Sequence, residues 1–304
     1  MEKLRAVLGG ESVMELKITD LTKEFQETTA VDHITLSMEN GVYGLLGVNG
    51  AGKTTFMRML CTLIRPTSGS ITYGGRDIYE MDGEYRKLLG YLPQEFGFYP
   101  DFTVQEYLMY IASIKGIRPA AAKKRIKMLL HQVGLVKVRD RKMKKLSGGM
   151  KRRAGIAQAM LNDPRILILD EPTAGLDPGE RVRFRNLISE LSQDRLVLLS
   201  THIVSDIEYI ASKILVMQDG RIVHAGTQEE ILSEVPVRAW RLTVPREETG
   251  RWQKNYTLAN MKTLPQGAEL RLLAEECPDY AAVEETLMLE DVFLWYLGNC
   301  SAAQ

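Results

Sequence analysis

The sequence predicts an α/β fold: a mixed sheet core, an antiparallel β portion, a helical subdomain and a small C-terminal α+β appendage. Three observations carry this. Residues 42–46, 166–169 and 196–199 are continuous apolar runs, the pattern of strands covered on both faces. Between the first and second of these, residues 103–145 lose all strand signal and carry apolar side chains at helical spacing. After residue 236 the composition changes, with all three tryptophans, Trp240, Trp252 and Trp295, in the tail.

Composition narrows the class before any motif is read. A chain of 304 residues with 45% apolar content can bury one large or two modest cores. Lys plus Arg equals Asp plus Glu at 39 each, so no basic field draws in DNA or RNA, and no nucleic-acid partner is expected. Cys61, Cys277 and Cys300 lie far apart without metal-ligand spacing, which reads as free thiols in a reducing compartment. Nowhere do about 18 apolar residues run together, and the start MEKLRAVLGGES lacks a signal peptide's apolar core, so the chain is expected to stay in the cytoplasm without crossing a membrane.

In chain order, residues 1–13 read as a leader outside the fold, disordered in character, ahead of the alternating pattern at 15–19. Phe25 follows that first strand and admits two readings, an aromatic that stacks on adenine or a core residue. A strand at 34–38 ends at the turn Glu39-Asn40-Gly41 and leads into the buried strand 42–46.

That strand feeds Gly47-Val48-Asn49-Gly50-Ala51-Gly52-Lys53-Thr54-Thr55, around which the chain is organised. Four residues separate Gly47 from Gly52, and Lys-Thr follows directly, the spacing of the loop whose backbone N–H groups wrap a nucleotide's phosphates. Gly47, Gly50 and Gly52 allow positive φ and close backbone approach. The helix expected from Lys53 adds free N–H donors and its positive dipole end, Lys53 reaches the outer phosphates, and Thr54 holds the magnesium ion. The helix is expected over 53–64, closing at Arg65-Pro66.

Residues 70–73 and the turn Gly74-Gly75 continue the antiparallel portion. The strand 88–92 runs into Pro93, which leaves Gln94 at a loop edge, free to touch a metal ion and a mobile neighbour or only solvent. Thr103-Val104-Gln105-Glu106 is a capping box for a helix towards Ile114, and Pro119 opens a second carrying Ile126, Leu129, Leu130 and Val133. The basic stretches 123–125 and 139–145 are solvated faces on this reading.

Ser147 is a good N-cap for a helix running to Met160, and Gly148 and Gly149 leave its first amides uncovered. Lys144, Lys145, Lys151, Arg152 and Arg153 crowd that positive dipole end, which either faces a second phosphate or is simply a solvated basic face. The strand 166–169 then puts Asp170 and Glu171 at a carboxyl edge, where ligands of α/β sheets bind. Asp170 suits a magnesium ion and Glu171 suits the polarisation of an attacking water. Asp177 lies in the following loop, and His202, after the strand 196–199, shares the edge with Glu171. Asp219-Gly220 is a hairpin turn between strands 214–217 and 221–223, and a short helix at 227–233 precedes Pro236. In the tail, strands are expected at 240–244 and 269–273 and a helix over 281–289, with no visible chemistry.

Taken in order, the phosphate loop, Gln94, LSGGM, ILILDEPT, GLD and His202 resemble the ATP-binding cassette (ABC) family, specifically the nucleotide-binding subunits of ABC transporters. The resemblance covers residues 14–236, with the helical subdomain at about 98–160 and an accessory domain at 237–304. It implies a P-loop NTPase that binds ATP and Mg2+ and hydrolyses ATP. It assigns Phe25 to adenine stacking, Gln94 to sensing the transmembrane partner, Glu171 to the catalytic carboxylate, Asp177 to the interface and His202 to the switch histidine. Met150 departs from the family's usual Gln.

The family further implies head-to-tail pairing with a second cassette, in a homo- or heterodimer, so that Ser147, Gly148 and Gly149 of one copy cap the γ-phosphate held by Lys53 of the other. The partners are then transmembrane permease subunits at the cytoplasmic face of the membrane, and the GGMKRR style is similar to export systems. The competing reading is a soluble ABC ATPase acting on nucleic acid or the ribosome, against which stand the zero net charge and the single cassette.

Overall fold

A computed structural model describes residues 15–301, with side chains described to Tyr296. The expected leader at 1–13 lies outside the described residues. From the start the elements are β1 (Leu16–Phe25), β2 (Thr28–Met38), β3 (Gly41–Leu46), α1 (Lys53–Leu60), β4 (Ser68–Tyr73), β5 (Arg76–Asp77), α2 (Ile78–Met81), α3 (Gly83–Leu88) and β6 (Leu89–Leu92). The middle holds α4 (Val104–Ile114), α5 (Pro119–Gln132), α6 (Gly148–Ala159), β7 (Ile166–Asp170), α7 (Pro178–Leu191) and β8 (Leu196–Thr201). Then come α8 (Val204–Glu208), β9 (Lys213–Gln218), β10 (Arg221–Gly226), α9 (Gln228–Glu234), β11 (Arg238–Val244), α10 (Thr249–Asn255), β12 (Thr257–Leu264), β13 (Gly267–Ala274), β14 (Val283–Glu285) and α11 (Leu289–Ser301).

The central sheet runs in the order β10-β9-β3-β8-β7-β6, parallel except at β10, which closes a hairpin on β9. Its apolar runs divide by the two-residue period of a strand. Val42, Leu167, Leu169, Val197 and Leu199 face one core, shared with the helices α4 to α7, while Tyr43, Leu45, Ile166, Ile168, Leu196 and Leu198 face the other. That second core is roofed by the antiparallel sheet β2-β1-β4-β5. Gly44 has a packing reason: a Cβ there would meet Ile207 Cγ2 at 2.5 Å, so α8 is pressed against the middle of β3.

The helical subdomain starts as expected, with Thr103 and Glu106 completing the capping box of α4 and Pro119 opening α5. Some bounds move. β2 is longer than the expected 34–38 because its first half pairs with the far end of β1. α1 stops at Leu60, four residues short of the expectation, and Thr62 at φ 56° turns the chain out.

The tail forms a third antiparallel sheet, β12-β13-β11-β14. The helix expected over 281–289 is not there. Residues 283–285 instead form β14, registered against Ala239, Trp240 and Arg241 of β11, and the helix α11 begins at Leu289. Trp240, Leu242, Leu270 and Leu272 make this sheet's own small core, while Ala239 and Leu273 on its other side join Leu289, Val292 and Phe293 in the main core. α11 thereby packs on α8 and α9.

Candidate functional site

Register brings the functional segments to one edge. Leu92 is opposite Leu169, Asp170 is opposite Ser200, and Leu46 is opposite Thr201, so β6, β7, β8 and β3 all deliver their carboxyl ends together. Beyond those ends lie Gln94, Glu171, His202 and the glycine-rich loop, which is where a doubly wound sheet takes ligands. A cleft of about 370 Å³ opens there, lined by Val48, Asn49, Gly50, Gly52, Lys53, Thr54 and Thr55 of the loop with Ala30, Gln94 and Glu171.

The loop's glycines are required by space and by conformation. Gly50 and Gly52 stand at φ 89° and 101°, and a Cβ on Gly52 would meet the Ala30 carbonyl oxygen at 2.1 Å. A Cβ on Gly47 would meet the Met217 carbonyl oxygen at 2.5 Å, and Ala51 is buried beneath the turn. α1 has no side-chain cap, so its first N–H groups are left to a ligand. Lys53 is folded back over the loop, its Nζ donating to the carbonyls of Gly47 at 2.6 Å and Val48 at 3.0 Å. Burial lowers the Lys53 ammonium from its ordinary value, and Glu171 and then Asp170 pull it back up.

The carboxylates are placed for different tasks. Asp170 is buried and accepts from Ser200 Oγ at 2.6 Å and from Thr54 Oγ1 at 3.0 Å. The Glu171 carboxylate accepts from His202 Nδ1–H at 3.0 Å, and its Oε1 is 4.0 Å from Lys53 Nζ. The adjacent acids therefore have a cation beside them, as their sequence position demands. Glu171 holds φ at 46°, a left-handed conformation costing a non-glycine residue about 1–3 kcal/mol. Its N–H donates to Ser200 Oγ at 2.9 Å, and its carbonyl accepts from Arg152 Nη2 at 3.3 Å.

The Thr54 hydroxyl and the Gln94 carboxamide line the cleft, and the Asp170 carboxylate adjoins Thr54; these are hard oxygen donors, a set that fits Mg2+. Such an ion keeps several waters and takes phosphate oxygens, so it asks little more of the protein.

Other expected residues stand elsewhere. Phe25 is 46% exposed at the end of β1, with Lys23 Nζ 5.0 Å above its ring, which disposes of the core reading. Ser147 caps α6 by accepting the Met150 N–H at 3.2 Å, and Asp177 caps α7 by accepting the Glu180 N–H at 2.9 Å. Neither lines the cleft, and nor do Gly148 and Gly149. Ser147, Gly148 and Asp177 are exposed, while Gly149 is buried against α7, where a Cβ would meet Glu180 Oε2 at 2.6 Å.

Several of the cations crowding α6 have partners of their own: Lys144 pairs with Asp101 at 2.6 Å, and Arg153 reaches Glu180 and the Val133 carbonyl. The crowding is thus no evidence by itself for an anion. Two side chains carry more than the sequence showed. Ser200 ties Asp170 to the Glu171 backbone, and Arg152 crosses from α6 to Pro93 and Glu171. A hydroxyl at the end of a buried strand was the only signal for the first; the partners of Arg152 are too distant in sequence to be read.

Comparison with known proteins decides the family. The family model described as ABC transporter matches residues 31–174. The bacitracin transport ATP-binding protein BcrA of Bacillus licheniformis is 40% identical over 211 residues, 68% of this chain and 68% of that protein. The Nod factor export ATP-binding protein I of Burkholderia orbicola is 33% identical over 302 residues, 95% of this chain and 98% of that protein. The chain belongs to the ABC transporter family.

It is an ABC transporter ATPase, the ATP-binding subunit of a transporter complex. The ABC cassette fold is equally plain in the solved structure of cbiO1 from Clostridium perfringens, part of the ABC transporter complex cbiONQ, at TM-score 0.66 and 26% identity over 72% of this chain and 90% of that one. Among the described residues of this ABC subunit, no helix is long and apolar enough to cross a membrane.

Proposed function

We propose that this ATPase is the motor of an export system, composed of a cassette at 14–236 and an accessory domain at 237–304, and that it works as a pair of cassettes. The relative of nearly full-length match is named for Nod factor export, which supports the direction. The similar cassette cbiO1 is part of a transporter complex, which supports docking on separate transmembrane subunits, on this proposal at the cytoplasmic face.

The observation that carries the mechanism is Glu171 between Lys53 and His202 at the cleft, with Asp170 bonded to Thr54 of the loop. The loop amides and Lys53 hold the β- and γ-phosphates; on binding, Lys53 exchanges the Gly47 and Val48 carbonyls for phosphate oxygens. Phe25, exposed at the end of β1, offers its ring to adenine. Thr54, Asp170 and Gln94 would hold Mg2+, which supplies charge neutralisation on the phosphates. Glu171 accepts a proton from the water that attacks the γ-phosphorus, the bond to the β–γ bridging oxygen breaks, and ADP and phosphate leave. His202 holds the Glu171 carboxylate in place at 3.0 Å. The exposed starts of α6 and α7, with Ser147, Gly148 and Asp177, are the face that closes over the nucleotide of the second cassette.

Replacing Glu171 by Gln removes the base but keeps the shape. ATP should still bind, with turnover at least about 100-fold slower, since general-base help is typically worth 10²–10⁴. Full turnover in that variant would remove Glu171 from the role.

A further inference from the structure

One side chain hydrogen-bonds from the first turns of α6 directly to the backbone of the catalytic edge. Arg152 lies one turn into α6, on the helix that Ser147 caps. Its Nη1 donates to the Pro93 carbonyl at 3.2 Å and its Nη2 to the Glu171 carbonyl at 3.3 Å. Both partners directly adjoin functional positions: Pro93 precedes Gln94, and Glu171 is the carboxylate itself. Arg152 is largely withdrawn from solvent, and Asp170, Glu171 and Glu95 are the charges that offset its burial.

The Glu171 backbone needs such support. At φ 46° it is in a conformation that persists only where its surroundings over-determine it. Ser200 fixes its N–H from one side, and Arg152 fixes its carbonyl from the other. The planar fork of a guanidinium can hold two carbonyls in separate directions at once, which the single ammonium of Lys cannot do with the same geometry. Neighbouring Arg153 shares none of this, since it is turned away to Glu180 and the Val133 and Gly134 carbonyls.

We infer that Arg152 is a positioning residue that ties the start of α6 to the Pro93 and Glu171 carbonyls of its own chain, so that contact made by α6 with a second cassette's nucleotide sets the hydrolytic geometry of the first. The inference rests on the paired-cassette reading and on Glu171 as base. It requires that loss of Arg152 strike the chemical step and leave nucleotide capture intact, because Arg152 does not line the phosphate cleft.

The test compares Arg152→Ala and Arg152→Lys with the unaltered protein and with Glu171→Gln, in full-length chains. Steady-state ATPase rates are measured alongside ATP affinity from a fluorescent nucleotide titration and thermal unfolding midpoints. Arg152→Ala should lower kcat roughly 10- to 100-fold, the scale of an ångström-level misplacement, with affinity within about 2-fold of the parent. Arg152→Lys should recover less than about a third of the lost rate, because it cannot bridge both carbonyls. A folded Arg152→Ala with kcat within about 2-fold of the parent would overturn the inference, as would full rescue by Lys, equal losses of kcat and affinity, or failure of both variants to fold. Glu171→Gln separates the two levels: if it is inactive while Arg152→Ala is active, only the Arg152 link falls; if it is active, the reading of Glu171 falls and takes the link with it.

Discussion

Lys53 is buried and drawn onto the Gly47 and Val48 carbonyls, so its ammonium has acceptors within its own loop and its burial leaves no unpaired charge. Phosphate oxygens then compete as stronger, charged acceptors. Lys53→Ala removes that exchange, and a charged hydrogen bond of about 2 kcal/mol corresponds to roughly 30-fold weaker ATP binding. Equilibrium titration with ATP checks this, and an unchanged dissociation constant would show that the loop amides alone hold the phosphates. The residues whose roles depend on local spacing, Gly47 to Thr55 and the Asp170-Glu171 pair, were legible in sequence because neighbours along the chain fix their geometry. Arg152 was not: its acceptors lie 59 and 19 residues away, and its sequence context suggested only a crowded helix end.

At the scale of elements, the start of the C-terminal helix is tied to β13 by a largely buried ion pair, in addition to its packing in the main core. Arg271 on β13 donates to both oxygens of Asp291, at 3.1 and 2.6 Å, and also bonds Glu285 of β14 and the Thr286 carbonyl. Asp291 also accepts the Met288 N–H at 2.9 Å, so the same carboxylate caps the start of α11. The bond to Asp291 is the largest reason that the Arg271 guanidinium is held above its usual range. Asp291→Ala leaves Arg271 only Glu285 and the Thr286 carbonyl and uncaps the Met288 N–H, a loss of about 1–3 kcal/mol that urea unfolding would read as a lowered midpoint. A change below about 1 kcal/mol would mean that water replaces the carboxylate without consequence.

The same ion pair explains why the helix was expected at 281–289 rather than where it lies. β14 is three residues long and exists through its pairing with β11, and α11 begins where Asp291 finds Arg271, neither of which leaves a periodic trace. The capping box of α4 and the proline that opens α5 leave such a trace, because each signal lies within one turn.

For the whole molecule, the fold was legible in outline because the central sheet is covered on both faces and its strands read as unbroken apolar runs. What sequence patterns could not supply is the arrangement of exposed features: that Ser147, Gly148 and Asp177 sit at adjoining helix starts, joined through the Gly149–Glu180 contact, outside their own chain's phosphate cleft. On the proposed pairing, the phosphate-binding loop and the exposed helix starts make half a site each, and two copies would complete both. The most direct measurement of this is sedimentation velocity of the Glu171→Gln chain, with and without saturating Mg-ATP. The account predicts a dimer with Mg-ATP and a monomer without it. A chain that binds Mg-ATP and remains monomeric, with no second cassette taken up, would contradict it.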